Sequence, residues 1–371
     1  MKIVIISHYF LPHIGGIEMV VYNQAKELVK RGHEVVVIST RVGNEPKEET
    51  MDGFKVKRIN AWNIFERNWG IPYPVPSIKF FSIANKEIKG ADIVHVHDIG
   101  YLPSYIGNLL SKNNKKDLVL MQHIKKVNDK RKIVSIIQDI VFGTYSKSIL
   151  NNSKRIITCN KDVMGWLKDT KKTEFLENCA DIELFKPLSK KEKIEVRKKY
   201  DLPLNKPIII FAGRLVEKKG FKKLYEARDK DYFIVFVGDG VVPEHMKEDK
   251  NVRFVGFKTQ KELAELYGTS DIFCLPSENE GFPLTILEAM ACGLPIITTD
   301  HPGYTDYLDR RFVKLINPTI NNIKKVIYDL LKNKETMRKM SFYSRSAVEK
   351  RFSWKKNVDD LIKIYKSVLK Q

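Results

Sequence analysis

With 371 residues, the chain is longer than one hydrophobic core usually supports, so we expect two domains of similar size. Hydrophobic residues make up 43% of it and charged residues 30%, which excludes a disordered chain, and no apolar run is long enough to span a membrane. The net charge of +20 is spread evenly, because residues 1–190 and 191–371 each carry ten more basic than acidic residues. Such a charge attracts phosphates, anionic lipid or nucleic acid without choosing among them.

Short runs rich in valine and isoleucine alternate with helical patterns in both halves of the chain. The runs are residues 2–6, 34–39, 92–97, 118–122 and 155–158, then 208–212, 233–237, 252–255, 272–275 and 296–298. This alternation predicts two parallel sheets covered by helices. The charged segment 186–207, with three prolines, predicts a connecting helix and linker, and the 3.6-residue apolar spacing over 353–370 predicts a final amphipathic helix.

Gly15 and Gly16 follow the first predicted strand and precede a helix that we expect to run to about Arg31. Glycines at a helix N-terminus let backbone amides approach a phosphate, and the helix dipole favours the anion. The pattern lacks the GxGxxG spacing of dinucleotide-binding proteins. A phosphate contact and a plain turn therefore both remain open at this position.

The second half opens with a similar strand-to-helix turn that contains Gly213, Arg214 and Lys219. An arginine fork and a lysine point charge together suit a diphosphate, whereas the alternative is a solvated basic loop. Gly238, in the Gly-Asp-Gly turn after the next strand, could likewise face a ligand at the carboxyl edge of the sheet.

Residues 276–295 contain the densest group of candidate ligand-binding residues. A strand ends at Leu275, a glycine-containing loop follows, and a helix is predicted from about Phe282. Glu280 then precedes this helix and Glu288 lies about two turns into it, so both could contact one elongated ligand that carries hydroxyl groups. The structural alternative is that Glu280 caps the helix and Glu288 is an exposed helical glutamate.

Two patterns suggest a metal ion, and both are better explained without one. His95 and His97 share one face of a strand, but no third ligand is evident. Asp229 and Asp231 form a DxD pattern that precedes its strand, which favours a solvated turn. We expect no cofactor and no metal. The four cysteines form no CxxC pair and the N-terminus lacks a leader pattern, so a cytoplasmic location is expected.

Taken together, the motifs resemble glycosyltransferase family four, a group of retaining enzymes with the GT-B fold. The resemblance depends on Gly15-Gly16, on Gly213-Arg214 with Lys219, and on the Glu280–Glu288 spacing. It covers nearly the whole chain. One departure occurs at Cys179, which stands where the family's Asn-Gly-Val-Asp pattern has glycine, and it affects the expected local turn rather than the donor site.

The resemblance implies roles for individual residues. Arg214 and Lys219 would clamp the diphosphate of a nucleotide-sugar donor, and Glu288 would accept hydrogen bonds from its ribose. Glu280 and His123 would hold the transferred sugar, His123 near its C6 hydroxyl. The remaining donor-binding residues would contribute mainly through their backbone, and they are Gly16, Gly213, Gly238, Gly281, Phe282, Pro283 and Leu284.

The family also implies an overall organisation and reaction. Two facing Rossmann-like domains, 1–185 with 355–371 and 186–354, would enclose a cleft, and the last helix would return to the first domain. A hexose would pass from a UDP or GDP sugar to a glycan, lipid-linked or other hydroxyl acceptor, with retention and without a metal. The alternatives are a GT-B sugar-nucleotide epimerase and a basic nucleic-acid-binding protein, although the even charge and the acidic pair speak against nucleic acid.

A basic cluster at residues 112–132, with eight lysines and arginines, adjoins an apolar helical stripe that begins at Ile133. This pairing suits an interfacial helix on an anionic membrane, with the inner face of the cell membrane as the expected location. The alternative is an ordinary domain core with a solvated rim.

Overall fold

The structure is a computed structural model that describes residues 1–41, 43–69, 71, 73–125, 142–167, 171–278, 283–301 and 307–370. The chain divides into two compact units, Met1–Asn178 with Trp354–Gln371 (unit 1) and Cys179–Ser353 (unit 2). Each unit contains a largely parallel sheet with helices between its strands, so the predicted α/β fold class is confirmed.

Unit 1 alternates strands and helices along the chain. Its strands are β1 Lys2–Ile6, β2 Glu34–Arg41, β3 Glu48–Met51, β4 Phe54–Trp62, β5 Val75–Pro76, β6 Ile93–His97, β7 Asp117–Gln122, β8 Ser153–Thr158 and β9 Thr173–Phe175. Its helices are α1 Gly16–Lys30, α2 Ile64–Trp69, α3 Lys79–Lys89, α4 Leu102–Asn113, α5 Lys147–Asn152 (after a π-helical turn, Phe142–Ser146) and α6 Lys161–Leu167, and the C-terminal helix Trp354–Leu369 also belongs to this unit.

The sheet of unit 1 has the strand order β3-β4-β2-β1-β6-β7-β8-β9, with β5 paired to β4. Val4, Val36 and Val94, from three neighbouring strands, are fully or almost fully buried in one apolar cluster against helices α3 and α4. Because helices cover the sheet, its central strands are apolar along most of their length rather than alternating.

Unit 2 repeats this plan. Its helices and strands are α7 Lys190–Lys199, β10 Ile208–Ala212, α8 Phe221–Glu226, β11 Phe233–Val237, α9 Glu244–Lys247, β12 Val252–Phe254, α10 Gln260–Thr269, β13 Ile272–Leu275, α11 Leu284–Ala291, β14 Ile296–Thr299, β15 Lys314–Ile316, α12 Ile320–Lys332 and α13 Lys334–Arg351. The strand order is β12-β11-β10-β13-β14-β15, and all of these pairings are parallel.

The predicted connecting helix and final helix are both present. Helix α7 begins at a capping box in which Ser189 accepts a hydrogen bond from the Glu192 amide while the Glu192 carboxylate accepts one from the Ser189 amide. The C-terminal helix, which we number α14, buries Val358 and Leu361 in unit 1. Its Asn357 accepts a hydrogen bond from Gln24 of α1 at 3.3 Å. The last helix therefore returns to the N-terminal unit, as predicted.

The predicted strands are confirmed to within two residues at each end, but strands β3, β4, β5, β9 and β15 were not predicted. Strand β4 alternates buried and exposed residues because it lies near the sheet edge, where β3 and β5 pair with it in the antiparallel sense. Such short or alternating segments lack the continuous apolar run by which a buried parallel strand is recognised.

Glycines without room for a side chain hold together the loops at the carboxyl edge of the second sheet. A Cβ atom at Gly238, after β11, would collide with the carbonyl oxygen of Gly213, after β10. A Cβ atom at Gly220 would collide in the same way with the carbonyl oxygen of Pro276, after β13. All three glycines have positive φ angles, +135°, +153° and +77°, which disfavour other residues. The three loops therefore pack backbone against backbone.

We expect Gly238→Ala to destabilise the protein by about 1–3 kcal/mol more than Gly256→Ala does, since its added methyl group collides with backbone and overpacking of this kind costs about that much. Gly256 is the matched control: its φ is also positive, at +70°, but no atom lies within 4 Å of the position of its Cβ. Scanning calorimetry of the two variants measures the difference. Equal melting temperatures would show that the loops do not depend on this close approach.

Candidate active site

The strand order of each sheet reverses at one point. In unit 2 the chain runs outward from β10 to β11 and β12 and then crosses to β13, so the reversal lies between β10 and β13. In unit 1 the same reversal lies between β1 and β6. Open α/β sheets bind ligands at the carboxyl ends of the strands at such points. The predicted site residues follow these strands or their immediate neighbours.

Arg214 lies directly after β10. Its side chain is exposed and makes no hydrogen bond or ion pair with another described residue. Lys219 ends the 3₁₀ turn Glu217–Lys219, and its side chain passes about 4.0 Å from the position a Cβ atom would take at Gly213. Gly213 itself donates a backbone hydrogen bond to Val237 at 3.0 Å. The loop thus holds two basic side chains at the reversal point.

The loop after β13 lies beside this basic loop. The Glu278 amide donates a hydrogen bond to the Lys218 carbonyl oxygen at 2.7 Å, and the Glu278 carboxylate binds Lys223 at 2.6 Å. Pro283 precedes helix α11, whose first residue is Leu284. Three predicted site residues, Glu280, Gly281 and Phe282, lie outside the described residues.

Glu288 is buried in α11 and is 6% exposed, so it is not the exposed helical glutamate of the structural alternative. Its Oε2 atom has no hydrogen-bond partner in the described part of the chain. Burial raises the pKa of the carboxyl to about 8, and the neighbouring Tyr267 hydroxyl opposes that rise. Burial therefore favours the protonated carboxyl near neutral pH. A buried carboxyl oxygen without a partner is costly, and it can accept a hydrogen bond from a ligand.

In unit 1, Gly15 and Gly16 lie at the predicted strand-to-helix turn. Gly16 is the first residue of α1, it is exposed, and no atom lies within 4 Å of the position of its Cβ. Gly15 is closed in, because a Cβ atom there would collide with the Glu18 carboxylate. Of the two glycines, Gly16 is therefore the one with an approachable backbone.

His123 follows β7 and is 8% exposed. Its Nε2 atom lies 2.9 Å from Nδ1 of His97, and its backbone amide donates a hydrogen bond to the Asp98 carboxylate at 2.7 Å. Burial lowers the pKa of His123 to about 3, so the ring is neutral at physiological pH. Asp98 has a positive φ of 59°, and burial raises its pKa to about 7.

A second polar cluster surrounds His13, after β1. The His13 ring bridges two carboxylates, with Nδ1 2.8 Å from Glu18 and Nε2 3.5 Å from Glu66. The Tyr9 hydroxyl donates to Glu66 at 2.6 Å and lies 2.6 Å from the amide oxygen of Asn63. The sequence pattern indicates no role for these residues, and the only signal in it is that Tyr9 and His13 come just after the first strand.

The residues of the two metal-like patterns bind protein groups instead. Asp229 forms an ion pair with Lys324 at 2.8 Å and Asp231 accepts a hydrogen bond from Tyr328. His95 pairs with the Tyr365 hydroxyl at 2.7 Å. Across the described ranges, no group of three or more acidic, histidine or cysteine side chains is arranged to hold a metal ion.

The predicted membrane segment is only partly described. Lys112, Lys115, Lys116 and Lys125 lie within the structure, whereas the rest of the basic cluster and the apolar stripe from Ile133 lie outside the described residues. Among the helices that are described, none combines the length and apolar character needed to cross a bilayer.

We expect Glu288→Gln to raise the melting temperature relative to the wild type more at pH 8 than at pH 5. The folded-state pKa of Glu288, about 8, is above the unfolded value of 4.5. The folded protein therefore keeps a proton that the unfolded chain releases, and wild-type stability falls as the pH rises from about 4.5 to 8. Glutamine has no such dependence, so the difference should grow by roughly 2–4 °C or more.

Thermal unfolding of both proteins at the two pH values measures this effect. Glu278→Gln, at an exposed glutamate of the adjacent loop, is the control for loss of a surface carboxylate. If the melting temperatures of Glu288→Gln and the wild type differ by the same amount at pH 5 and pH 8, then burial does not raise the pKa of Glu288.

Comparison with known proteins identifies the family of both halves of the chain. The family Glycosyltransferase Family 4 matches residues 14–184, and the family Glycosyl transferases group 1 matches residues 192–347. The N-acetyl-alpha-D-glucosaminyl L-malate synthase of Bacillus anthracis is 25% identical, over 97% of this chain and 96% of its own. A GDP-mannose-dependent alpha-mannosyltransferase of Mycolicibacterium smegmatis is 27% identical, over 82% and 81%.

Solved structures share the fold. HepE of Anabaena in complex with UDP-glucose superposes with a TM-score of 0.76 over 99% of this chain and 100% of its own, at 16% identity. Both halves of the chain match one group of enzymes, and the architecture is shared along its whole length. The chain therefore belongs to glycosyltransferase family four and is a glycosyltransferase with the GT-B fold.

Proposed function

We propose that this enzyme transfers a hexose from a UDP or GDP sugar to a hydroxyl acceptor, with retention of configuration and without a metal ion. The observation that carries the proposal is Glu288, a buried glutamate with an unpartnered carboxylate oxygen beside the reversal point of the second sheet. Two adjacent ribose hydroxyl groups suit this side chain, because its oxygens can accept their hydrogen bonds and such bonds favour the ionised form that burial alone disfavours. The relatives named for a GDP-mannose donor and the neighbour crystallised with UDP-glucose support a nucleotide sugar.

The diphosphate would bind the basic loop after β10. Arg214 is exposed, and no other described residue neutralises its guanidinium, so it is available for a ligand. A planar fork of donors matches phosphate oxygens, and Lys219 adds a second positive charge. As the bond to the sugar breaks, negative charge develops on the leaving nucleoside diphosphate. Cationic groups already in place stabilise that charge without any rearrangement of the site, and we propose this stabilisation as the main contribution to catalysis.

The transferred sugar would contact the segment before and at the start of α11. Glu280 would orient the sugar, together with the backbone amides of residues 281–284. The first amides of a helix have no partner within the helix, and Leu284 begins α11. No pair of carboxylates suited to double displacement was found in the sequence, so attack of the acceptor from the side of the leaving group is the proposed course.

Two residues of unit 1 complete the proposal. Gly16 would offer a backbone amide to the diphosphate, which its open position at the start of α1 supports. His123 would form a hydrogen bond with the C6 hydroxyl of the sugar. Its neutral ring supports this role, because a neutral imidazole can pair with a hydroxyl group without adding charge near the anomeric carbon.

The acceptor is proposed only as a class, a hydroxyl group on a glycan, a lipid-linked sugar or a small molecule. One relative is named for a malate product, so a small acid is within that class.

Peripheral contact of the basic segment 112–132 with an anionic membrane, at a cytoplasmic location, remains a proposal. Of its described lysines, Lys112 lies in the last turn of α4, Lys115 and Lys116 lie between α4 and β7, and Lys125 follows β7.

Thermal shift with UDP and GDP, compared with retention on heparin, tests the donor class. Stabilisation by one nucleotide supports the proposal, whereas heparin binding without nucleotide stabilisation would favour a nucleic-acid-binding protein. Release of an altered free sugar from UDP-sugar without any acceptor would instead identify an epimerase.

We expect Arg214→Ala to lower kcat about 10²–10³-fold, because removal of one donor that stabilises transition-state charge typically has that effect. Arg253→Ala is the matched control: Arg253 is a partly exposed arginine of the same unit that binds Asp201, away from the reversal point. Steady-state kinetics with the donor that gives the larger thermal shift measure both variants. Turnover near that of the wild type in Arg214→Ala would remove Arg214 from the mechanism.

We expect transfer to continue after dialysis against EDTA, because basic side chains would replace the metal ion at the diphosphate. Asp229→Asn and Asp231→Asn should also keep turnover within about twofold of the wild type, since their carboxylates bind Lys324 and Tyr328. Initial rates before and after chelation measure this. Loss of transfer with EDTA and its recovery with magnesium or manganese would overturn metal independence.

A further inference from the structure

His97 is a buried histidine to which the proposed reaction assigns no role. It contacts His123, the histidine proposed to hold the sugar. It is the last residue of β6 and is 0% exposed. In the pairing of β6 with β7, His97 lies opposite Met121, so His123 lies diagonally across from it. The contact joins His97 Nδ1 to His123 Nε2 at 2.9 Å, and the two rings are stacked at 16°.

Both rings are neutral, because burial lowers the pKa of His97 and of His123 well below the ordinary value. In a hydrogen bond between two neutral imidazoles, one nitrogen donates and the other accepts. The tautomers of the two residues are therefore coupled. If His97 donates from Nδ1, His123 carries its own proton on Nδ1; if His123 donates from Nε2, its Nδ1 is a bare acceptor.

The surroundings of His97 distinguish these two states. Its Nε2 atom is buried and has no hydrogen-bond partner among the described residues. When His97 donates from Nδ1, that Nε2 atom is an unpaired acceptor; in the opposite state it is an unpaired N–H group. For backbone groups, orphaned buried N–H donors are rarer than unpaired acceptors, and we apply the same preference to the imidazole. The state in which His97 donates is therefore favoured.

We propose that His97 is a positioning residue that sets the tautomer of His123. His97 donates from Nδ1 to Nε2 of His123, so the proton of His123 lies on Nδ1 and that nitrogen donates a hydrogen bond to the ligand. No described residue bonds to His123 Nδ1, which leaves that nitrogen for a ligand. The His123 backbone is held independently, by its amide bond to Asp98 at 2.7 Å. The part of this inference that concerns sugar binding rests on the proposed function, while the tautomer does not.

His95 provides a matched control. It lies two residues before His97 on the same strand and the same face, and it is also 0% exposed. Its hydrogen bond goes to Tyr365 of α14 at 2.7 Å and not to His123. Replacement of either histidine by leucine removes a buried imidazole, but only His97→Leu removes the donor to His123.

The test combines ring ¹⁵N spectra with kinetics on the full-length protein. Long-range ¹H–¹⁵N spectra of histidine-labelled protein report the tautomer of His123, whose signals are assigned by their absence in His123→Asn. We expect the Nδ1–H form in the wild type and in His95→Leu, and a shift towards Nε2–H in His97→Leu. His97→Asn, whose amide can donate from near the former Nδ1 position, should restore the Nδ1–H form.

Kinetics with UDP-glucose and GDP-mannose test the role in transfer. We expect His97→Leu to lower kcat about tenfold, the equivalent of one hydrogen bond, with the donor KM within about twofold and with partial rescue in His97→Asn. His95→Leu should lower the melting temperature but keep kcat.

An Nε2–H tautomer in wild-type His123, or an unchanged tautomer in His97→Leu, would overturn the proposal whether or not either donor is a substrate. The expected tautomer changes with an unchanged kcat would overturn its functional part. Failure of both donors to be turned over would count against the proposed function, and the spectra would still decide the tautomer.

Discussion

The constraint on which the rest of this structure depends is that helices cover both sheets, so their central strands are buried along their length. Strands β10 and β11 are buried from end to end. An unpaired polar group inside such a layer costs free energy, and polar chemistry is therefore confined to the strand ends. The carboxyl edges, where the strand order reverses, contain the basic loop with Arg214 in one unit and the histidine cluster with His123 in the other.

The loops at the edge of the second sheet can meet there because they lack side chains where they touch. Gly213, Gly220 and Gly238 let the loops after β10, β11 and β13 approach backbone to backbone. This packing places the Arg214 loop beside the segment that leads to Glu288. Packing of the loops thus explains why glycine occupies these positions. The glycines affect ligand binding indirectly, because they determine where the neighbouring side chains and backbone amides lie.

Both units bury polar groups that are not fully satisfied by the protein. Glu288 Oε2, His97 Nε2 and one carboxylate oxygen of Asp98 have no hydrogen-bond partner among the described residues. Each of them lowers the stability of the ligand-free protein. Strongly shifted pKa values from such burial cluster at functional sites, because these sites hold polar groups ready to bind a ligand at a cost in stability. The His13 cluster is the contrast, since Glu18 and Glu66 satisfy both of its nitrogens.

The sequence by itself determined the two α/β units, the central strands, the connecting and final helices, and the positions of Arg214 and Glu288 relative to strand ends. These follow from local apolar periodicity and turn residues, which act over a few positions. Only the tertiary structure decided that Glu288 is buried, that β4 pairs with β3 and β5 near the edge of the first sheet, and that His97 contacts His123. Burial and cross-strand contact depend on residues far apart in the chain, and local sequence patterns do not reveal the register that brings those residues together.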